Sequence, residues 1–531
     1  MNRSPFAPEV IRSVCDHMDD PTLLSVALTS KDFLEPALDT LWRDLTSFKP
    51  LLSCLPDVND LWITEEFAPP IETEDLIEVL YPRRAITQKD IGRYLTFYAA
   101  RIRRFRPYMY CGINLSVEAL QALQLASGGK PGVLSPLLRE FSWPSPDVVS
   151  TLLGEDAKRQ LSPCMSLFLG DSLTTIDFEV PPDLPLHAGS LDQALSRHPR
   201  LKRISIGDTS ESGMDRIFIE SCITSSPLEY LERISLPFVT APMIQHLALR
   251  PQLKNLEIVG KSTTDIPSLP TITGSATING FFPNLRSITI SRTSLSTLQD
   301  LLRCIPSANT ITDVICGPTG NLATSDIQGV IKAISARFNP STLTNLEFSL
   351  DPKRVVSAVV EEPLEGNTSS DVDISPLFGF SELRNLNLRL KDTICLTPTE
   401  IAAIPVAFPK IRILTLGSNT RDFRPPRLDH THFISLLQNC PSLTGLRLFF
   451  DTSGMTGEVV TGAPFQLITL EVGNSPIYSP SRVLSFMKAN LPDLDSVGGP
   501  AYAVHNHNPR IFYRRWKWVD EQLRAGPSAS S

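Results

Sequence analysis

The sequence predicts an α/β fold. A module of three short N-terminal helices precedes an irregular solenoid of strand–helix repeats, with parallel strands on the concave face and helices outside. Three observations carry this expectation. The pattern L-x-x-L-x-L returns from about residue 100 onward, often just after a proline. Segments with apolar residues at helical spacing separate the copies. Ahead of them, residues 4–48 hold three amphipathic stretches that end at Trp42.

Pro8 suits a first helical position, and Val10, Ile11, Val14, Cys15 and Met18 form an apolar stripe behind it. Asp19-Asp20-Pro21 closes that helix and opens a second over residues 22–28, in which Leu23, Leu24, Val26 and Leu28 are apolar. Thr29 and Asp32 have the spacing of a capping box for a third segment, which carries Phe33, Leu34, Ala37, Leu38, Leu41 and Trp42. Pro36 predicts a kink or restart within it. So small a unit exposes more apolar surface than it can bury alone, so a partner or a neighbouring domain must cover the excess.

Phe6-Ala7-Pro8-Glu9-Val10-Ile11, the run from Asp20 to Phe33, and Leu41-Trp42-Arg43 together resemble an F-box. That family usually opens Leu-Pro-x-Glu and carries a Cys and a Trp in its middle. Here Phe6-Ala7, Ser30 and Phe33 stand at those places. The resemblance implies that Pro8, Glu9, Ile11, Leu23, Leu24, Leu28, Leu34 and Trp42 contribute to a surface for a Skp-family adaptor, or directly support it. A cullin would follow through the adaptor. Without the resemblance, the same residues read as a helical cap on the repeats.

Residues 50–160 read as a linker with irregular first repeats, marked by weak copies at Ile102/Phe105 and Leu138/Phe141. The solenoid proper is expected over 161–500. It begins with a weak copy at Leu173/Ile176/Phe178, and clear copies start at Leu201/Ile204/Ile206, Leu231/Ile234/Leu236 and Leu253/Leu256/Ile258. They continue at Leu285/Ile288/Ile290, Leu343/Leu346/Phe348, Leu383/Leu386/Leu388, Ile411/Leu414/Leu416, Leu443/Leu446/Leu448 and Leu467/Leu470/Val472, with weaker ones at Ile311/Val314/Cys316 and Leu494/Val497. This spacing matches leucine-rich repeats with a helix per repeat, loosened by insertions. Leu298, Leu301, Leu302 and Ile305 mark one helical face, Phe433, Leu436 and Leu437 another, and Val483, Leu484, Phe486 and Met487 a third.

Strand alternation decides what the open face shows. With the leucines inward, it offers Arg203, Glu257, Glu347, Arg389, Arg447, Phe449 and Glu471, with Asn255, Asn345, Asn385 and Asn387 among them. Such a mixture of charge, amide and one aromatic suits a protein partner better than a phosphate backbone. Insertions at 261–280, 351–376 and 451–463 read as exposed, partly disordered loops. Phe512, Trp516, Val519 and Leu523 fall at helical intervals, so residues 501–524 read as a C-terminal cap, and 525–531 as a disordered tail.

Composition narrows the function. Lys and Arg number 49 against 57 Asp and Glu, a net charge of −8, which gives no footprint for wrapping nucleic acid. The basic runs at Arg101–Arg106 and Arg510–Arg515 are interleaved with aromatic residues, a pattern that can bind single strands. No apolar stretch reaches membrane-spanning length and no leader pattern opens the chain, which predicts a cytoplasmic or nuclear protein with no membrane contact. The nine cysteines are scattered without paired spacing, so reduced, mostly buried thiols are expected, and the sequons at Asn114 and Asn367 are chance matches. Phosphate-loop, zinc-protease, dinucleotide and nucleophile-elbow motifs are absent, and His505 and His507 lack a third ligand at motif spacing. No cofactor, no metal and no catalytic residue is expected. F-box proteins with leucine-rich repeats are substrate receptors of SCF-type ubiquitin ligases, and the resemblance implies that role, with an unidentified target protein on the repeats. The alternative is a ligase-independent interaction scaffold.

Overall fold

The computed structural model describes residues 8–56, 58–68, 76–109, 112–144, 149, 152–154, 156, 160–180, 195–198, 200–208, 213–260, 282–319, 322–349, 372–390, 394, 396–418, 426–473, 475–498 and 509–525. The expectations for residues 4–7, 261–280 and 351–371, for Asn367, for His505 and His507, and for 526–531 lie outside them. The chain divides into two compact units, Met1–Leu253 and Lys254–Ser531.

In the first unit, helices α1 (Pro8–Cys15), α2 (Asp20–Thr29) and α3 (Lys31–Leu41) fold around Ile11, Cys15, Leu23, Ala27 and Ala37. Met18, Phe33 and Leu41 pack against that core, so Phe33 fills an apolar place. Asp19 caps α2, its carboxylate accepting from the Thr22 amide at 3.0 Å. The cap of α3 is Ser30 rather than Thr29. The Ser30 hydroxyl accepts from the Asp32 amide, whereas the Thr29 hydroxyl donates back to Val26 O. Nor does α3 break at Pro36, because the proline forfeits one bond close to the helix start and the helix continues to Leu41.

The chain then enters a parallel ladder directly. Asp44–Leu45 pairs with Arg104–Phe105, followed by Glu140–Ser142, Thr175–Val180, Arg203–Asp208 and Arg233–Leu236. Leu45, Phe105, Phe141, Ile176, Ile204 and Ile234 lie in register and are buried. At the first rungs the core is aromatic: Phe105 stacks on Phe168 at 4.6 Å, and Phe48 meets Phe105 edge-on at 5.4 Å. A separate sheet, unexpected from the sequence, has Trp62–Phe67 antiparallel to Ile77–Pro82 and Ile113–Leu115 parallel to the latter.

The second unit repeats one plan. Its strands are Asn255–Val259, Ser287–Ser291, Asp313–Gly317, Asn345–Ser349, Asn385–Leu390, Ile413–Ser418, Gly445–Arg447, Thr469–Glu471 and Ser496–Gly498, all parallel and in sequence order. One core row runs Leu256, Ile288, Val314, Leu346, Leu386, Leu414, Leu446, Leu470, Val497, and the next runs Ile258, Ile290, Cys316, Phe348, Leu388, Leu416. Every member is buried. Each such side chain contributes about 1.5–3 kcal/mol on burial, and only against the neighbouring rungs, so the core is shared along the array.

Strand starts are tied by a recurrent backbone device. Arg286 and Ser287 both donate to Lys254 O, Thr312 and Asp313 to Arg286 O, and Thr344 and Asn345 to Thr312 O, and the pattern continues through Thr444 and Gly445 on Arg412 O. The first unit uses it too, from Arg103 and Arg104 on Arg43 O to Glu232 and Arg233 on Lys202 O. Several of the intervening helices start at side-chain caps, though Pro480–Asn490 does not. Ser294 caps Leu295–Cys304, Thr397 with Glu400 caps Pro398–Ala407, and Asp429 caps His430–Asn439.

Residues 451–463 form a loop exposed at Thr456, Glu458, Val459 and Thr461, and it is anchored by hydrogen bonds. Buried Asn490 donates to Glu458 O at 2.8 Å and accepts from the Val460 amide at 2.7 Å, while Thr452 donates to Pro476 O. Helix Pro509–Arg524 buries Trp516 and Val519. Trp516 Nε1 donates to Ser475 O at 2.8 Å, and the Asp520 carboxylate accepts from the amide of Val497 on the last strand, also at 2.8 Å. Among the described residues no helix is long and apolar enough to cross a membrane.

Candidate docking surfaces

The eight residues expected at the adaptor surface separate into three groups. Ile11 and Leu23 are buried and hold the module together. Leu24 is 55% exposed and Leu28 80% exposed, an i, i+4 apolar pair on one face of α2, and Leu34 stands exposed on α3. Glu9 is exposed in the first turn of α1, which Pro8 begins. Two exposed large apolar residues of the module were not in the expected set: Val10 and Val14, another i, i+4 pair, on α1. They carry the signal of an apolar stripe wider than one core-facing row.

Trp42 points elsewhere. It follows α3 as its C-cap and stacks on Tyr98 at 4.4 Å, with Tyr94 6.1 Å away. The Tyr94 hydroxyl is buried and donates to Leu134 O, and burial holds its pKa well above the ordinary phenol value. Beside this stack, Arg101 binds Glu35 at 2.5 Å and also Asp39. Arg104 pairs with Asp44, and Arg106 with Glu140 at 2.5 Å. The basic run Arg101–Arg106 therefore fastens the helical module to the ladder through ion pairs within the chain.

The sheet faces show the expected alternation. Arg203 is exposed, and Glu257, Glu347, Arg389, Arg447, Phe449 and Glu471 are partly exposed between buried neighbours. In the second unit, register aligns Glu257, Thr289, Ile315, Glu347, Asn387, Thr415, Arg447 and Glu471 in one row. A parallel row begins with a polar ladder in which Asn345 donates to the Asp313 carboxylate and Asn385 donates to Asn345 Oδ1 at 2.5 Å. Exposed Ile315 and Ile413 add apolar surface to this face. The alternation rule finds both once it is extended to every copy.

At one end of that row, Glu471 lies 3.8 Å from Arg389 and 3.3 Å from Arg447. The Arg447 side chain is only 13% exposed, and desolvation lowers its pKa against the raising effect of Glu471. It passes over Gly417, where a Cβ would meet Arg447 Nε at 3.2 Å. The Nε of Arg389 and the Oδ1 of Asn387 are shielded from solvent and have no hydrogen-bond partner.

Other chemistry is sparse. In the first unit a hollow of about 310 Å³ is lined by Arg106, Pro107, Tyr108, Ser142, Trp143, Pro144, Asp177, Phe178 and Glu179. Among the described residues no three His, Cys, Asp or Glu side chains gather as a metal site. Burial pushes the Cys316 thiol up to about 12 and the Cys164 and Cys440 thiols up to about 11, which leaves them un-ionised and inert near neutrality. Asn114 is buried and donates to Met109 O at 3.0 Å, out of reach of a glycosyl group in the folded chain.

Comparison with known proteins returns no matching family profile and no matching curated protein. Among solved structures, the crystal structure of the Rad7 and Elc1 complex in yeast aligns at 14% identity and a TM-score of 0.33, over 68% of this chain and 75% of that one. The Toll–Spatzle complex of Drosophila aligns at 13% identity and a TM-score of 0.23, over 76% of this chain and 57% of that one. The fold itself is that of a protein with strand–helix repeats and a small helical module.

Proposed function

We propose that this chain is the substrate-recognition subunit of an SCF-type cullin–RING ubiquitin ligase, acting in the cytoplasm or nucleus. Helices α1 to α3 bind a Skp-family adaptor, and the sheet faces hold a target protein destined for ubiquitination and degradation. The observation that carries the reading is the exposed Leu24/Leu28 pair, set in a segment that resembles an F-box and resting on a core of its own. The chain supplies no catalytic residue. It acts by proximity, raising the effective concentration of target lysines at the loaded conjugating enzyme.

The test separates surface from core. Leu24→Asp with Leu28→Asp places two charges where the adaptor would bury two leucines, and leaves the module folded because both side chains already face solvent. Leu23→Asp puts an unpaired charge into the module core and unfolds it. Capture of the adaptor by the Leu24/Leu28 variant at wild-type strength would reject the assignment.

A second reading has one observation in its favour. Asp44–Leu45 is the first rung of the ladder and Arg101 grips α3, so the helical module also caps the repeats, as a ligase-independent scaffold would require. Deleting residues 1–48 removes that rung under either reading, so surface substitutions discriminate better than truncation.

A further inference from the structure

The sheet face of the second unit carries an incomplete polar site at Asn387 and Arg389, with Glu471 beside it. Arg389 and Asn387 lie two residues apart on strand Asn385–Leu390, so both project to the same face. Arg389 Nε is a donor without an acceptor, and Asn387 Oδ1 is an acceptor without a donor. Buried polar atoms of this kind are costly when left unpaired. Glu471 does not complete the site. Its distance of 3.8 Å to Arg389 is longer than the roughly 2.7–2.9 Å of a closed charge-assisted hydrogen bond. The side chains of Arg389 and Glu471 are 43% and 45% exposed, so both can turn toward an incoming group.

We propose that this site takes an acidic residue of an extended polypeptide, its side-chain carboxylate accepting from Arg389 and its backbone N–H donating to Asn387. The inference rests on the receptor reading of the sheet face and names the ligand class that reading leaves open. Two requirements select the occupant. The group must accept at an arginine, which any anion does. It must also donate to the Asn387 amide oxygen once that side chain turns outward, which a nucleic-acid backbone phosphate does not. An aspartyl or glutamyl residue does both, its carboxylate accepting and its backbone N–H donating. The row beyond Asn387, with Thr415 and exposed Ile413 on the next strand, leaves room for a chain lying across the strands.

The experiment uses the full chain and three labelled nine-residue peptides, read by fluorescence anisotropy: one with glutamate at alternating positions, its glutamine counterpart, and its phosphoserine counterpart. The glutamate peptide is expected to bind, to weaken as salt rises, and to outcompete both others. Arg389→Gln is expected to weaken it by about tenfold, the order of one charge-assisted hydrogen bond, with an unchanged melting temperature because the side chain is half exposed. Arg389→Glu is expected to reverse the preference toward a lysine-containing peptide. Equal binding of the glutamate and glutamine peptides, no binding, or wild-type affinity in Arg389→Gln would each overturn the proposal. Tighter binding of the phosphoserine peptide would overturn the carboxylate assignment. Adaptor capture by the same Arg389→Gln chain reports on the receptor reading separately, so either idea can fail alone.

Discussion

Replacing Trp42 with alanine separates two roles that the sequence leaves joined. As an adaptor contact, Trp42 would matter to binding and little to stability. In the structure it is half-buried and stacked on Tyr98 at 4.4 Å, closing α3 against the segment that supplies Arg101. Truncating a fully buried tryptophan costs about 3–5 kcal/mol, and the aromatic pair contributes about 0.5–1.5 kcal/mol beyond burial. With part of the ring in solvent, a cost of about 2–3 kcal/mol follows for the docking of α3. A chain this long need not unfold in one step, so the local measurement is hydrogen exchange along α3. Amides of Lys31–Leu41 should exchange about 30- to 150-fold faster in Trp42→Ala than in wild type, because each 1.4 kcal/mol is a factor of ten. Trp42→Phe should recover most of the protection. Unchanged exchange together with lost adaptor binding would refute the inward role.

Two further perturbations probe the rest of the architecture. Trp516→Ala removes a fully buried ring and its bond to Ser475 O, and should cost about 3–5 kcal/mol locally, seen as lost exchange protection in Ser496–Gly498 with the earlier strands unaffected. A loss spread through the whole second unit would contradict the view of the helix as an end cap. His198 is buried, and desolvation lowers its pKa below 6.5, with Asp171 opposing. The stability it contributes is therefore present above about pH 6.5 and is lost as pH falls toward the depressed value, with a slope of at most about 1.4 kcal/mol per pH unit. Melting between pH 7.5 and 5.5 should be steeper for wild type than for His198→Gln, and identical profiles would refute the assignment.

The repeats were legible because their physics is local. In L-x-x-L-x-L the first, fourth and sixth residues are the ones the rung buries, and Leu253/Leu256/Ile258 through Leu467/Leu470/Val472 follow that rule directly. The early copies were faint because phenylalanine replaces leucine, as at Phe105 and Phe141, and because their strands are short. What stayed hidden depends on distant partners. The sheet formed by Trp62–Phe67 and its neighbours shows no clean alternation, since Ile63, Thr64, Glu65 and Glu66 are all exposed. The 451–463 segment is a loop, as its composition indicates, but its anchoring by Asn490, about thirty positions on, leaves no local signal. Ser30 and Thr29 are adjacent hydroxyls of equal capping chemistry, and only the backbone turn chooses Ser30. For the docking surfaces, the sequence indicated which residues form the three helices, but not that Leu23 faces in while Leu24 and Leu28 face out, or that Trp42 is engaged by Tyr98.

The measurement that bears most directly on the account is adaptor binding by the folded full chain, made by titrating a purified Skp-family adaptor into wild type and into the Leu24→Asp/Leu28→Asp variant. Two leucines buried at an interface contribute about 3–6 kcal/mol, so the variant should bind at least about a hundredfold more weakly while its melting temperature stays within error of wild type. Wild-type affinity in the variant, or no adaptor binding by the wild-type chain, would contradict the proposed receptor role.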